Sequence, residues 1–441
     1  MSAAEIIRSR DESGQITILS NERHLFYSRP GVAYYLSGQI PAEQLIARKE
    51  SFYREHRLLL RHAEVASLEP AVKKVTTTNG ENVPYDVLLI ATGAAAVPPP
   101  FKGGALAGVV TLDTLDDARK VVSLSKKAKR AVVSGGGITA MELAEGLQHR
   151  GVKTTLLQRQ ERIWPRLFDA RESSIILDAV HHERIKVLFN QEIEEIEGHK
   201  GRVRGVRLKS GEFLRCEIVG VAIGVRPNIA FTHELPLEKD RGLLVDSHMQ
   251  TSIPTIFAAG DVAQVLDRWT GKHHLDILWP SAINEGRAAG HNMVDVAHGA
   301  EPRYAYHKGT PFNAALLFGV HLSVIGQLGS QGEDTGEELL YMSRGSSSIW
   351  TAPFSSSYRS AWDKKGSNSL RIVTADRKIV GALLLGDQHL ADPLRTMIEN
   401  EVDISEFIQE LQSSGDSLPS MIHEAWKSRK LSRSAAGKSV I

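Results

Sequence analysis

An α/β protein built from two nested strand–helix–strand units and a C-terminal α+β unit is predicted by three features of this sequence. The run Arg130-Ala131-Val132-Val133 leads through Gly135-Gly136-Gly137-Ile138-Thr139-Ala140 into a helix with Ala140, Leu143, Ala144 and Leu147 on one face. A second alternation of strand and helix patterns occupies residues 1–90 and resumes after residue 225. Beyond residue 306 the pattern turns to alternating or continuous apolar runs, as in antiparallel strands.

Composition bounds the function. A chain of 441 residues predicts about three domains at ~150 residues each. Its 53 lysines and arginines nearly cancel 52 acids, and a net charge of +1 gives no electrostatic footprint for nucleic acid. The single cysteine, Cys216, excludes internal disulfides, thiolate zinc sites and Cys-ligated clusters. No apolar run approaches the ~18 residues of a membrane span and no signal-peptide core is visible, so a cytoplasmic protein without a membrane partner is expected.

Taken in order, Ser2 is positioned to cap a helix over residues 3–10, with Ala3, Ile6 and Ile7 on one face. Ser13-Gly14 ends it, and Gln15 to Leu19 reads as a strand. Tyr27-Ser28-Arg29-Pro30 precedes a helical Val32 to Leu36. A small β excursion follows in Ala63 to Leu68, Val72 to Thr78 and Tyr85 to Ile90, with a turn at Asn79-Gly80. Pro98-Pro99-Pro100 marks a stiff boundary. The second unit continues with a helix to Arg150, a strand Lys153 to Leu157, a hairpin of Val203 to Leu208 with Phe213 to Cys216, and a closing run Val219 to Gly224. Near the end, 322–325, 339–342, 371–374 and 379–385 read as strands, the Ser-rich 344–367 as a long loop, and the acid-free basic segment from Trp426 as frayed chain. The predicted divisions are 1–107 with 225–305, then 108–224, 306–412 and a tail over 413–441. His181-His182 and His273-His274 read as surface pairs, not metal ligands.

The glycine loop carries the clearest chemistry. A strand, G-x-G-x-x-A and an amphipathic helix form the context of a Rossmann-like dinucleotide site. Gly135 permits the tight turn, Gly137 lets the backbone approach a pyrophosphate at the positive helix end, and Ala140 allows close helix–strand packing. An acid at the end of the following strand holds an NAD ribose. Here Gln158 takes that place, with Arg159 and Arg162 beside it to meet a 2′-phosphate, which favours NADPH over NADH. Alternatively, both arginines only solvate a strand end.

Together with Ala91-Thr92-Gly93, Gly224-Val225-Arg226-Pro227-Asn228, Ala258-Ala259-Gly260-Asp261-Val262 and Asn284-Glu285-Gly286-Arg287, these motifs fall in a specific order. The ordered set resembles the FAD-dependent pyridine nucleotide-disulfide oxidoreductase superfamily over about residues 1–410. The nearest branch resembles rubredoxin and ferredoxin reductases and the flavoprotein part of NAD(P)H nitrite reductases. The resemblance implies two nested dinucleotide-binding domains for FAD and NAD(P)H and a C-terminal interface domain that helps form a homodimer. It implies that Asp261 accepts hydrogen bonds from the FAD ribityl chain, Glu22 holds the adenosine ribose, Arg29 lies near the pyrophosphate and Val65 near the adenine. Thr92 and Gly93 would pass close to the flavin nucleotide, and Gly224 belongs to a cofactor-binding motif. Near the transferred hydride it implies Glu142 and Trp279. Glu142 contacts the nicotinamide or is only a favourable acid in the first helical turn, and Trp279 stacks on the isoalloxazine or is a packing tryptophan.

The resemblance implies a cysteine pair near the flavin in disulfide reductases and one cysteine in the segment matching 28–35 in peroxidase-like members. Residues 28–35 hold no thiol and Cys216 reads as packing, so no thiol step is expected. The implied reaction is hydride transfer from NAD(P)H to FAD, with electrons passing to a ferredoxin- or rubredoxin-type carrier or a reductase subunit. An NAD(P)H oxidase or quinone reductase is the enzymatic alternative. The resemblance also implies a first FAD glycine loop, for which the sequence offers no residues after Met1. A late start or a fragment is the expected explanation, and a non-catalytic protein that does not retain FAD is the other reading. The basic tail either attracts an acidic carrier or is solvated chain.

Overall fold

A computed structural model describes residues 1–267, 271–329, 338–343, 346–351, 357–362, 369–406 and 418–435. At its centre is a five-stranded parallel sheet in the order Lys186–Leu188, Lys153–Leu157, Arg130–Ser134, Ile218–Val221, Val109–Val110. Strands buried on both faces read as apolar runs, and Ile218–Val221 is buried at every position. The helix Ile138–His149 crosses this sheet and buries the four positions of its apolar face together with Met141 and Gly146. Gly146 is small because Leu36 lies against it; a Cβ there would approach the Leu36 side chain to 2.4 Å. Arg150 locks the same contact by donating to the carbonyls of Leu36 at 2.6 Å and Tyr35 at 2.8 Å. The expected hairpin is present as Arg202–Leu208 and Phe213–Arg215, joined by a third antiparallel strand, Ile193–His199.

The N-terminal region contributes two parallel strand pairs. Ile16–Ser20 pairs with Leu58–His62, and Leu88–Ile90 with Ile256–Ala258. An antiparallel excursion of Val65–Glu69, Lys74–Thr77 and Asn82–Pro84 lies between them in sequence. Chain crossings to the nucleotide-loop sheet run side by side, where Ala94–Ala96 pairs antiparallel with Val225–Pro227. The first helix, Ser2–Arg10, packs on the long helix Trp279–Ala297. Small residues set that approach: a Cβ on Gly290 would meet the Ala3 carbonyl oxygen at 2.8 Å. Ser2 does not cap the helix, because the helix begins one residue earlier than expected, with Met1 as its N-cap.

The C-terminal sheet is antiparallel in the order Phe312–Leu317, Val320–Gly326, Lys378–Leu385, Ser369–Ala375, Ser357–Trp362. One face shares a continuous core with the glycine-loop helix through Leu322, Val324, Val373 and Leu383. The other buries Ile372, Ile379 and Leu384 against the helices Ala391–Glu399 and Leu418–Ala435.

Two expectations for this region are corrected. Residues 344–367 are not one long loop: Ser346–Thr351 pairs with Glu338–Ser343, and Ser357–Trp362 adds to the sheet. Ile349, Trp350, Tyr358 and Trp362 suit strands, and the serines hid that preference. The segment around Trp426 is not frayed but helical, because Leu418, Ile422 and Trp426 at i, i+4, i+8 pack on the C-terminal core. His273-His274 is likewise half-buried in a short strand, with the His273 ring 3.1 Å from the Val245 carbonyl, whereas His181-His182 is exposed.

Candidate functional site

The glycine loop leaves the Arg130–Ser134 strand at a position only glycine tolerates. Gly135 has φ +153, and a Cβ on it would sit 2.1 Å from the Ala222 oxygen and 3.0 Å from the Ala140 Cβ. Gly137, in contrast, faces open space, and the helix it caps has no side-chain cap. The first helical amides are therefore open to an anion, aided by the positive helix end. The loop carbonyls point the other way: that of Gly135 accepts from Gln158 Nε2 at 2.9 Å, and that of Gly136 accepts from the Trp164 indole N–H. Gln158 is thus nearly fully buried and serves the loop as a brace.

These groups line a cavity of about 350 Å³ between strand ends and loops. Arg159 and Arg166 are exposed at its wall, and Gly224, at φ +122, lines it from the segment that follows the Ile218–Val221 strand. Arg162 has turned away: it donates to the carbonyls of Phe168 and, at 3.0 Å, Pro165, and to Ser173 Oγ at 3.2 Å. Arg162 therefore holds the loop closed, and its place beside Arg159 is taken by Arg166. Sequence reasoning missed Arg166 and Trp164 because the fold of the connection, with Trp164 at φ +45, has no local signature. Glu142 lies one residue beyond the first turn of the helix Ile138–His149, half-buried and outside the residues lining this cavity. A pyrophosphate at the open amides and an anionic ribose 2′-phosphate at Arg159 and Arg166 fit this lining.

A larger cleft of about 1010 Å³ lies on the other side of the strand crossing. Its lining includes Ile16–Ser20 on one side and Leu88–Ile90 on the other, and it holds Glu22, Arg29, Val65, Thr92 and Trp279. Glu22 and Arg29 are brought together as an ion pair. Tyr27 Oη donates to Glu22 Oε2 at 2.6 Å and accepts from the Leu115 N–H at 3.1 Å, and Arg29 also holds the Asp113 carbonyl at 2.9 Å. Each carboxylate oxygen carries two acceptor sites, so Glu22 retains capacity for a ribose hydroxyl.

Trp279 opens its helix, lines the cleft and stacks on Phe26 with ring centroids 5.7 Å apart. Thr92 and Asn228 clasp each other, Thr92 Oγ1 donating to the Asn228 carbonyl at 2.7 Å and Asn228 Nδ2 returning to the Thr92 carbonyl at 3.0 Å. Gly93, at φ +67, and Asp261 stand beside the cleft without lining it. Asp261 follows Gly260, whose N–H donates to the buried Glu285 at 2.7 Å. Burial, reinforced by Asp276, pushes the Glu285 carboxyl well above its usual range. Glu285 stood in a sequence motif, but its place behind the Gly260-Asp261 turn emerges only in three dimensions. The polar rim and aromatic end fit the ribose and ring portions of a flavin nucleotide.

Cys216 lies far from this chemistry in character: it is buried, and burial pushes its thiol up to about 12. A thiol so held is inert as a nucleophile at neutral pH.

The pyridine nucleotide-disulphide oxidoreductase family profile matches residues 1–286. Among curated relatives, the NADH-dependent phenylglyoxylate dehydrogenase subunit epsilon of Aromatoleum evansii is 29% identical over 328 residues, covering 74% of this chain and 76% of the relative. Rubredoxin-NAD(+) reductase of Pseudomonas putida is 28% identical over 265 residues, 60% of this chain and 69% of the relative. Among solved structures, putidaredoxin reductase in its covalent complex with putidaredoxin superposes with a TM-score of 0.80 at 20% identity, covering 97% of this chain and 96% of that one. The chain belongs to the pyridine nucleotide-disulphide oxidoreductase family, whose members are FAD-dependent NAD(P)H oxidoreductases.

Proposed function

We propose that this chain takes hydride from NAD(P)H in the 350 Å³ cavity, holds FAD in the 1010 Å³ cleft, and passes electrons to a small electron-carrier protein or a reductase subunit. The observation that carries this reading is the pair of clefts on either side of the Ala94–Ala96/Val225–Pro227 crossing, one built on a glycine loop and the other ending at Trp279. Residues 108–224 form the nucleotide unit, 1–107 with 225–305 the flavin unit, and 306–412 an interface unit for a homodimer. Bound FAD supplies the two-electron acceptor for nicotinamide hydride and releases electrons onward. The chain's own groups bind and orient: Gly135, Gly137 and Ala140 admit the nicotinamide nucleotide's pyrophosphate, Glu22 holds the FAD adenosine ribose with Arg29 near the FAD pyrophosphate, and Trp279 presents its indole to the cleft.

Two observations favour NADPH. The strand end carries Gln158, which is turned to the loop, and Arg159 and Arg166 stand exposed where a 2′-phosphate would lie. The rubredoxin reductase relative supports a small redox protein as acceptor. A cytoplasmic location belongs to the same proposal.

The test is FAD titration of the purified 441-residue chain, followed by NADPH turnover with ferredoxin, rubredoxin, quinone or oxygen as acceptor. Stoichiometric flavin uptake and turnover with a carrier protein support the reading. Turnover with oxygen or quinone alone makes the chain an oxidase or quinone reductase. A chain that stays colourless overturns the flavin assignment.

A further inference from the structure

The connection 159–169 forms one wall of the nucleotide cavity, and its fixation does not come from the nucleotide unit alone. Trp164 ties the connection to the glycine loop through the Gly136 carbonyl, and Leu167 and Arg166 line the cavity. The Leu167 carbonyl then accepts from Arg371, a residue 204 positions away on the Ser369–Ala375 strand of the C-terminal sheet. Arg371 is the largest fully buried side chain among the described residues. Leu370 and Ile372 turn into the core under the C-terminal helices, whereas Val373 joins the core shared with the glycine-loop helix. Alternation along the strand puts Arg371 on that second face.

The guanidinium meets a prepared partner. Glu172, fully buried, stands 3.0 Å from Arg371 Nε and uses its other oxygen to accept the Asp169 N–H at 2.9 Å, closing the capping box of the helix Ala170–His182. The guanidinium thus donates a hydrogen bond to the Leu167 carbonyl and meets Glu172 as a buried ion pair. Removing its charge would leave Glu172 buried and unpaired. An unbroken chain thus runs from the Gly136 carbonyl through Trp164 and the Leu167 carbonyl to Arg371 and Glu172.

We propose that Arg371 is a positioning residue for nucleotide binding: the C-terminal sheet holds the 159–169 wall in its binding geometry through the Leu167 carbonyl and Glu172. The proposal rests on the nucleotide reading of the cavity. It predicts that nucleotide affinity is set in part by a strand that does not touch the nucleotide.

The full chain at pH 8 is the material. Arg371→Met with Glu172→Gln removes both charges, keeps similar volumes and avoids a buried unpaired ion. The expected result is a cooperatively folded protein that binds NADPH and NADH about tenfold more weakly, a coupling of ~1.4 kcal/mol. Without nucleotide, amide hydrogen exchange should speed up over 160–168 while the Arg130–Ser134 strand keeps its protection. Ile379→Val, in the C-terminal core away from the wall, is the control: it lowers the melting temperature and leaves nucleotide affinity unchanged. Affinity within twofold of the parent together with unchanged exchange over 160–168 overturns the proposal. A parent chain that binds neither nucleotide overturns the cavity assignment instead, and the exchange data still decide the role of Arg371.

Discussion

At the scale of single residues, the nucleotide cavity depends on atoms that are absent as much as on those present. Gly135→Ala would drive a Cβ to 2.1 Å from a backbone oxygen at a φ that L side chains avoid. The expected outcome is a loss of about 1–3 kcal/mol in stability and of nucleotide binding, checked by melting and by nucleotide titration. Arg159→Ala and Arg166→Ala should each weaken NADPH about tenfold, the low end of a charged hydrogen bond, and leave NADH nearly unchanged. Equal losses for both nucleotides would mean that these arginines serve the pyrophosphate. Much of this was legible in the sequence, because the glycine spacing is a local pattern with a local cause. Arg162 was read in the place that Arg166 takes, since which arginine faces the cavity depends on how 159–169 folds over it. Glu22 and Arg29 were read as separate contacts, and only the fold shows them paired.

At the scale of elements, the capping box of the helix Ala170–His182 carries a pH signature. Burial, opposed by the pull of Arg371, raises Glu172 from 4.5 to about 7. Between those values the folded protein holds a proton that the unfolded chain has released. Stability from this group is therefore complete below pH 4.5, declines above it and is lost as pH rises through 7. Glu172→Gln should flatten that decline in denaturant midpoints measured from pH 5 to 8; an unchanged slope would assign it to other groups. Strands and helices with a strong period were readable from sequence, down to Lys153–Leu157. The Ser-rich strands and the final helix were not, because pairing partners and the Leu418, Ile422, Trp426 face act only after the C-terminal core exists.

At the scale of the whole molecule, the two clefts are fixed to one another by shared structure. The paired crossings lie between them, Arg150 and Leu36 bind the glycine-loop helix to the region of Arg29, and the C-terminal sheet joins the same core. Such a frame would keep the two proposed cofactors in register, which hydride transfer requires because reacting atoms must approach to about 3–3.5 Å. Cys216, the single cysteine, is buried and its thiol is pushed up to about 12, so it offers no thiolate at neutral pH. Anaerobic mixing of the FAD-loaded chain with NADPH tests that account most directly. Rapid bleaching of the visible flavin absorbance, slower with NADH and lost in Gly135→Ala, is the predicted result. A chain that holds FAD yet shows no bleaching with either nucleotide would contradict it.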